Sequence, residues 1–169
     1  KKMMKLINNY LIFVSKKKSQ IILFILLNIC GLLFIFLPYD IFNNMLDLYF
    51  SYDIDIVYKN FEAVGKQGRH FNLYSTLILD TIYPILYTSL ILGIFVKLYS
   101  EKNKYIFTVP ILVFFFDIAE NIQLVYMNLN FMNLNEFQVM IASAFTSSKW
   151  IAVSIMLFLL FIGIIKKRF

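Results

Sequence analysis

At 169 residues the chain is short enough to be one domain spanning 1–169. It is 60% hydrophobic and 15% charged, with a mean hydropathy of +0.74. A soluble domain of this size is nearer half apolar and a quarter charged, so the composition excludes that class and points to a membrane protein. One histidine and one cysteine, Cys30, exclude an intrachain disulfide and a Cys- or His-rich metal centre.

In chain order, the first apolar run able to cross a bilayer covers about 21–37 and is closed by Pro38. Lys16, Lys17 and Lys18 precede it, as they would a signal peptide, but FLPYD has no small-residue cleavage site. It is read as a retained anchor. The second span covers about 73–98, the third about 105–126 with Pro110 near its start, and the fourth about 146–165. The fold class expected is all-α: a polytopic four-helix transmembrane bundle with helices apolar all round.

Basic residues set the expected orientation. Lys1, Lys2, Lys5 and Lys16–Lys18 precede the first span, Lys97, Lys102 and Lys104 lie between the second and third, and Lys166, Lys167 and Arg168 follow the fourth. Only Lys59, Lys66, Arg69 and Lys149 fall on the other side. Both termini are therefore expected in the cytoplasm, in a bacterial inner membrane. The net charge of +6 follows from this bias and from attraction to anionic lipid heads, so no nucleic-acid partner is needed.

The loop from Pro38 to Asn72 is then extracytoplasmic. Its second half, DIDIVYKNFEAVG, reads as a short helix capped by Asp53 or Asp55, with Val57, Phe61 and Val64 as its apolar stripe and Gly65 as its stop. GKQGRH follows as a flexible basic turn. In the last loop, NEFQVMIASAF reads either as an interfacial helix or as an extension of the fourth span.

The chemistry sits inside the spans. A charged side chain at the bilayer centre costs at least ~2.5–3.5 kcal/mol, so unneeded ones are rare. In the second span Thr76, Asp80, Tyr83, Pro84 and Tyr87 share one face. Pro84 cannot bond the carbonyl of Asp80, so a backbone acceptor is freed beside that carboxyl group. In the third span, FFFDIAENIQ places Asp117, Glu120 and Asn121 on one face. A helical rise of about 1.5 Å per residue puts Asp80 about 24 Å from the cytoplasmic end, Asp117 about 16 Å, Glu120 about 21 Å and Lys149 about 24 Å. These groups are expected to face one another in a pocket open to the outside, with Arg69 and His70 above it and Trp150 at the interface.

Asp80, Asp117 and Glu120 are the candidate catalytic groups. Asn121, Lys149, Tyr83, Tyr87, Arg69, His70 and Trp150 are the candidate binding groups. HExxH, GxSxG and GxxxxGK[ST] patterns are absent, which leaves carboxylate chemistry. That means either proton transfer with a lipid-like substrate or a hard cation held by Asp80, Asp117 and Glu120. Which cofactor, if any, serves this chemistry is unknown from the sequence. The expected partner is membrane lipid, with a second membrane protein or a second copy of the chain as alternatives. Three functions fit: a protein that binds or processes a lipid or isoprenoid, an accessory subunit whose polar layer only packs helices, and a proton- or cation-coupled transport component.

The pattern LDTIYPILY, then FDIAENIQL, then SSKW, resembles an uncharacterised family of small four-helix bacterial membrane proteins. These share D-x-x-[FY]-P-x-x-Y, D-x-x-E-N and a Lys-Trp pair, here Asp80, Tyr83, Pro84 and Tyr87; Asp117, Glu120 and Asn121; Lys149 and Trp150. The resemblance covers roughly 65–165 and implies the architecture and a shared polar layer, but no reaction.

Overall fold

A computed structural model describes residues 2–99 and 105–168. The described residues form five α-helices and no strand: α1 (Lys2–Ser15), α2 (Lys17–Ile35), α3 (Ile54–Leu98), α4 (Thr108–Leu129) and α5 (Glu136–Arg168). The last four are long and apolar enough to cross a membrane. Helix α3 is the hub, packing against α1, α2, α4 and α5, while α4 and α5 pack closely together.

The sequence places the ends of α3 well but misreads its middle. Asp53 caps the start, its carboxylate accepting the N–H of Ile56 at 2.9 Å. Val57, Phe61 and Val64 are buried, as their spacing requires. Gly65 then takes φ 67° and ψ −179°, a region open to glycine but costly for any other residue. The expected flexible turn over GKQGRH does not form. One glycine redirects the chain, and residues 66–70 are already helical. The kink interrupts the helical ladder, and Arg69 compensates by donating from Nη1 to the carbonyl of Phe61 at 2.9 Å.

The second misreading concerns the start of the chain. Helix α1 was not expected, and it runs alongside α3 in the same direction. The Tyr10 hydroxyl meets Ser89 Oγ at 2.6 Å, and Gln20 at the start of α2 joins the carbonyls of Val14 and Leu90. Gly93 lets this turn approach, since a Cβ there would collide with Gln20 and the Val14 carbonyl. Lys16, Lys17 and Lys18 therefore lie toward the same end as Lys97, whose carbonyl accepts from Lys167 Nζ at 3.1 Å. The beginning of α1 does not: Leu6 and Ile7 line a groove with Ile85, near mid-height. Lys5 thus stands apart from the lysine-rich end. Lys1, Lys102 and Lys104 lie outside the described residues.

The third difference is the loop after α2. It is a packed cap, with Ile41, Met45, Leu46 and Tyr52 all buried. Single 3-10 turns at Phe42–Asn44 and Leu46–Leu48 shape it. Helix α5 begins at Glu136, so NEFQVMIASAF extends the fourth long helix. The last of its added turns and the turns that follow hold the cap in register. Ser143 Oγ accepts the N–H of Tyr52 at 2.9 Å, Ser147 Oγ donates to the Phe50 carbonyl at 2.8 Å, and Trp150 Nε1 donates to the Asp47 carbonyl at 3.0 Å. Positions 143, 147 and 150 follow i, i+4, i+7 spacing, so one face of α5 binds the cap from end to end.

Candidate functional site

Helices α3, α4 and α5 bring Asp80, Asp117, Glu120, Asn121 and Lys149 into one layer beneath the cap. Each is between 0% and 8% exposed. The link between α3 and α4 follows from proline chemistry. Pro84 has no N–H for the carbonyl of Asp80, and Asn121 Nδ2 donates to that oxygen at 2.7 Å. The link between α4 and α5 is ionic. Lys149 Nζ is ion-paired with Glu120 Oε2 and lies 3.8 Å from Asp117 Oδ1. Tyr87 donates its hydroxyl to Asp117 Oδ2 at 2.7 Å, and Thr146 donates to Glu120 Oε1 at 2.6 Å.

The expected outward opening is absent from this arrangement. The cap closes the layer, because Lys149 Nζ also reaches the Asp47 carbonyl at 3.4 Å and Tyr52 lies over Thr146, its hydroxyl 3.3 Å from Thr146 Oγ1. Burial raises the Tyr52 hydroxyl above its ordinary pKa, so it stays protonated.

The other sequence candidates are dispersed. Tyr83 turns toward α2, its ring 5.7 Å from that of Phe34 at 88°. Arg69 is engaged at the kink, with its guanidinium 4.1 Å from the Phe131 ring centroid. His70 is exposed and packs edge-on against Tyr74. Trp150 reaches the cap at the Asp47 carbonyl, and its ring centroid lies 5.6 Å from Lys149 Nζ.

Among the described residues no group of three or more His, Cys, Asp or Glu side chains converges to hold a metal ion. An ammonium, that of Lys149, sits among the carboxylates instead.

Asp47, Tyr52 and Thr146 were missed as site residues. Thr146 had a signal, since it lies three residues before Lys149 on the same helix face. Asp47 and Tyr52 had none, because they reach the layer only when the loop folds back over α5.

The layer is rich in acceptors. Among the described residues, Asp47 Oδ1 and Asn121 Oδ1 are buried without a hydrogen-bond partner. The donors of Lys149, Tyr87, Thr146, Trp150 and the Asn121 amide are already engaged elsewhere. Comparison with known proteins adds no relative: no protein-family model, curated protein or solved structure matches the chain.

Proposed function

We propose that this protein binds or processes a lipid or isoprenoid at the buried layer of Asp80, Asp117, Glu120, Asn121 and Lys149. The observation that carries this reading is the surplus of acceptors. Among the described residues Asp47 Oδ1 and Asn121 Oδ1 lack donors, and the carboxyl groups of Glu120 and Asp117 share the one ammonium of Lys149. A buried acceptor without a donor is costly, so a ligand that brings a hydroxyl or a proton is favoured there. Asp117 and Glu120 are the acid–base pair in this reading, Asp80 their partner across the interface, and Lys149 the group that balances charge. The cap over the layer favours entry from the membrane side.

In the same reading the protein is a four-helix bundle of a bacterial cell membrane, within the family it resembles. Its lysine-rich end, with Lys18 and Lys167, is cytoplasmic, and the 38–52 cap is extracytoplasmic. Membrane-impermeant labelling of single cysteines placed at Lys18 and Ser51 tests the orientation; labelling of Lys18→Cys from outside intact cells overturns it.

A second reading, a packing-only network in an accessory subunit, is favoured by one observation: Lys149, Tyr87 and Thr146 each already have partners in the layer. Lipid profiles of strains carrying Asp117→Asn with Glu120→Gln separate the two readings. An altered profile with the variant still folded supports the first, and an unaltered profile overturns it.

A further inference from the structure

A groove of about 490 Å³ runs between α1, α3 and α4, away from the cap. Leu6 and Tyr10 form one wall, Ile85 and Thr88 the floor, and Ile111 and Phe114 the other wall. Its size falls in the range of small-molecule sites, roughly 300–1,000 Å³. Nearly all of its lining is hydrocarbon or ring.

Of the three hydroxyl-bearing residues in its lining, Tyr10, Thr88 and Ser89, one has its hydroxyl unpaired. Thr88 is only 8% exposed, and its Oγ1 is buried with no hydrogen-bond partner among the described residues. The next residue shows what a hydroxyl in this helix ordinarily does. Ser89 Oγ donates back to the carbonyl of Ile85 at 2.5 Å and also meets Tyr10. Thr88 makes neither kind of bond. A groove filled by plain hydrocarbon would leave its hydroxyl unpaired, and a chain carrying one oxygen at that depth would not.

Thr88 is also adjacent to the layer. It follows Tyr87, whose hydroxyl is held by Asp117. Phe114, on the opposite wall, lies one helical turn before Asp117.

We propose that this groove seats a long-chain alcohol or acid, of fatty or isoprenoid origin, with its apolar chain between α1 and α4 and its oxygen hydrogen-bonded to Thr88. The inference rests on the lipid-handling reading above and names the substrate class for it. Helix α1 is then a wall of a binding site as well as a packing element.

The test uses the full chain in lipid nanodiscs, with diazirine-bearing palmitic acid and diazirine-bearing farnesol as probes. Crosslinks are mapped by peptide mass spectrometry. Labelling is expected on the Leu6–Leu11 and Phe107–Phe114 segments. Thr88→Val is expected to reduce it at least fivefold, and Thr88→Ser to restore it. Ile111→Trp, which fills the groove, is expected to abolish it, with thermal melting confirming the fold. The ratio of the two probes tells fatty from isoprenoid chains. Equal labelling of wild type and Thr88→Val, or labels spread evenly over the lipid-facing helices, overturns the proposal. If labelling depends on Thr88 while the carboxylate variants leave the lipid profile unchanged, the groove stands and the catalytic reading of the layer falls.

Discussion

The side-chain amide of Asn121 donates to the backbone carbonyl of Asp80 at 2.7 Å, and Pro84 is the reason that carbonyl is free. A proline in one helix and an asparagine in another thus form a single interaction. Asn121→Leu leaves the carbonyl without a donor and is expected to cost about 1–3 kcal/mol. Pro84→Ala restores a backbone N–H at that position and removes the need for the amide. In the Pro84→Ala background Asn121→Leu should therefore cost about 1 kcal/mol less, as read by a double-mutant cycle of unfolding in detergent. Strict additivity would refute the coupling.

Lys149 and Glu120 are both buried, so removing one partner strands the other. Lys149→Met is expected to destabilise by about 3–5 kcal/mol. The double variant Lys149→Met with Glu120→Gln should recover part of that loss, since no unpaired charge remains. Equilibrium unfolding of the three proteins checks this, and a double variant worse than Lys149→Met alone would show that the pair is not the main term.

At Gly65 the cost is conformational. A Cβ there meets nothing within 4 Å, yet φ is 67°. Gly65→Ala is expected to lose about 1–3 kcal/mol without any steric clash. A melting temperature equal to that of wild type would mean that the kink relaxes freely.

Gly93 poses the opposite case, where space decides. Gly93→Leu is expected to push the α1–α2 turn off α3 and to break the contact between Tyr10 and Ser89. In a Cys30→Ser background, cysteines at Tyr10 and Ser89 should crosslink readily with glycine at position 93 and at least fivefold more slowly with leucine there. Unchanged crosslinking would mean that α1 is held elsewhere.

The cap offers a last check. Ser147→Ala removes the donor to the Phe50 carbonyl, and Trp150→Phe the shorter of two donors to the Asp47 carbonyl. Each is expected to cost about 1 kcal/mol and to speed proteolysis within residues 47–52, with little effect on the α1–α3 contact. Cleavage moving elsewhere would disconnect the cap from α5.

Much of this was legible in the residues themselves. Spans are written in composition and length, because a helix in lipid must be apolar over about 20 residues whatever it packs against. The shared face of Asp117, Glu120 and Asn121 follows from a period of 3.6, and the freed carbonyl at Asp80 from the chemistry of proline. These are local properties, so no neighbour is needed to read them.

What only the tertiary structure decided depends on parts distant in sequence. The sequence cannot say that Asn121 would be the donor for Asp80, because the partner is chosen by the register of α4 on α3. It cannot place Asp47 and Tyr52 over Lys149, because an irregular loop has no period to read. Nor can it set α1 beside Ile85, since a short basic helix has the same pattern on the surface or against α3. The polar groups of this protein are a matter of sequence; which of them meet, and that they meet under a closed cap, is a matter of packing.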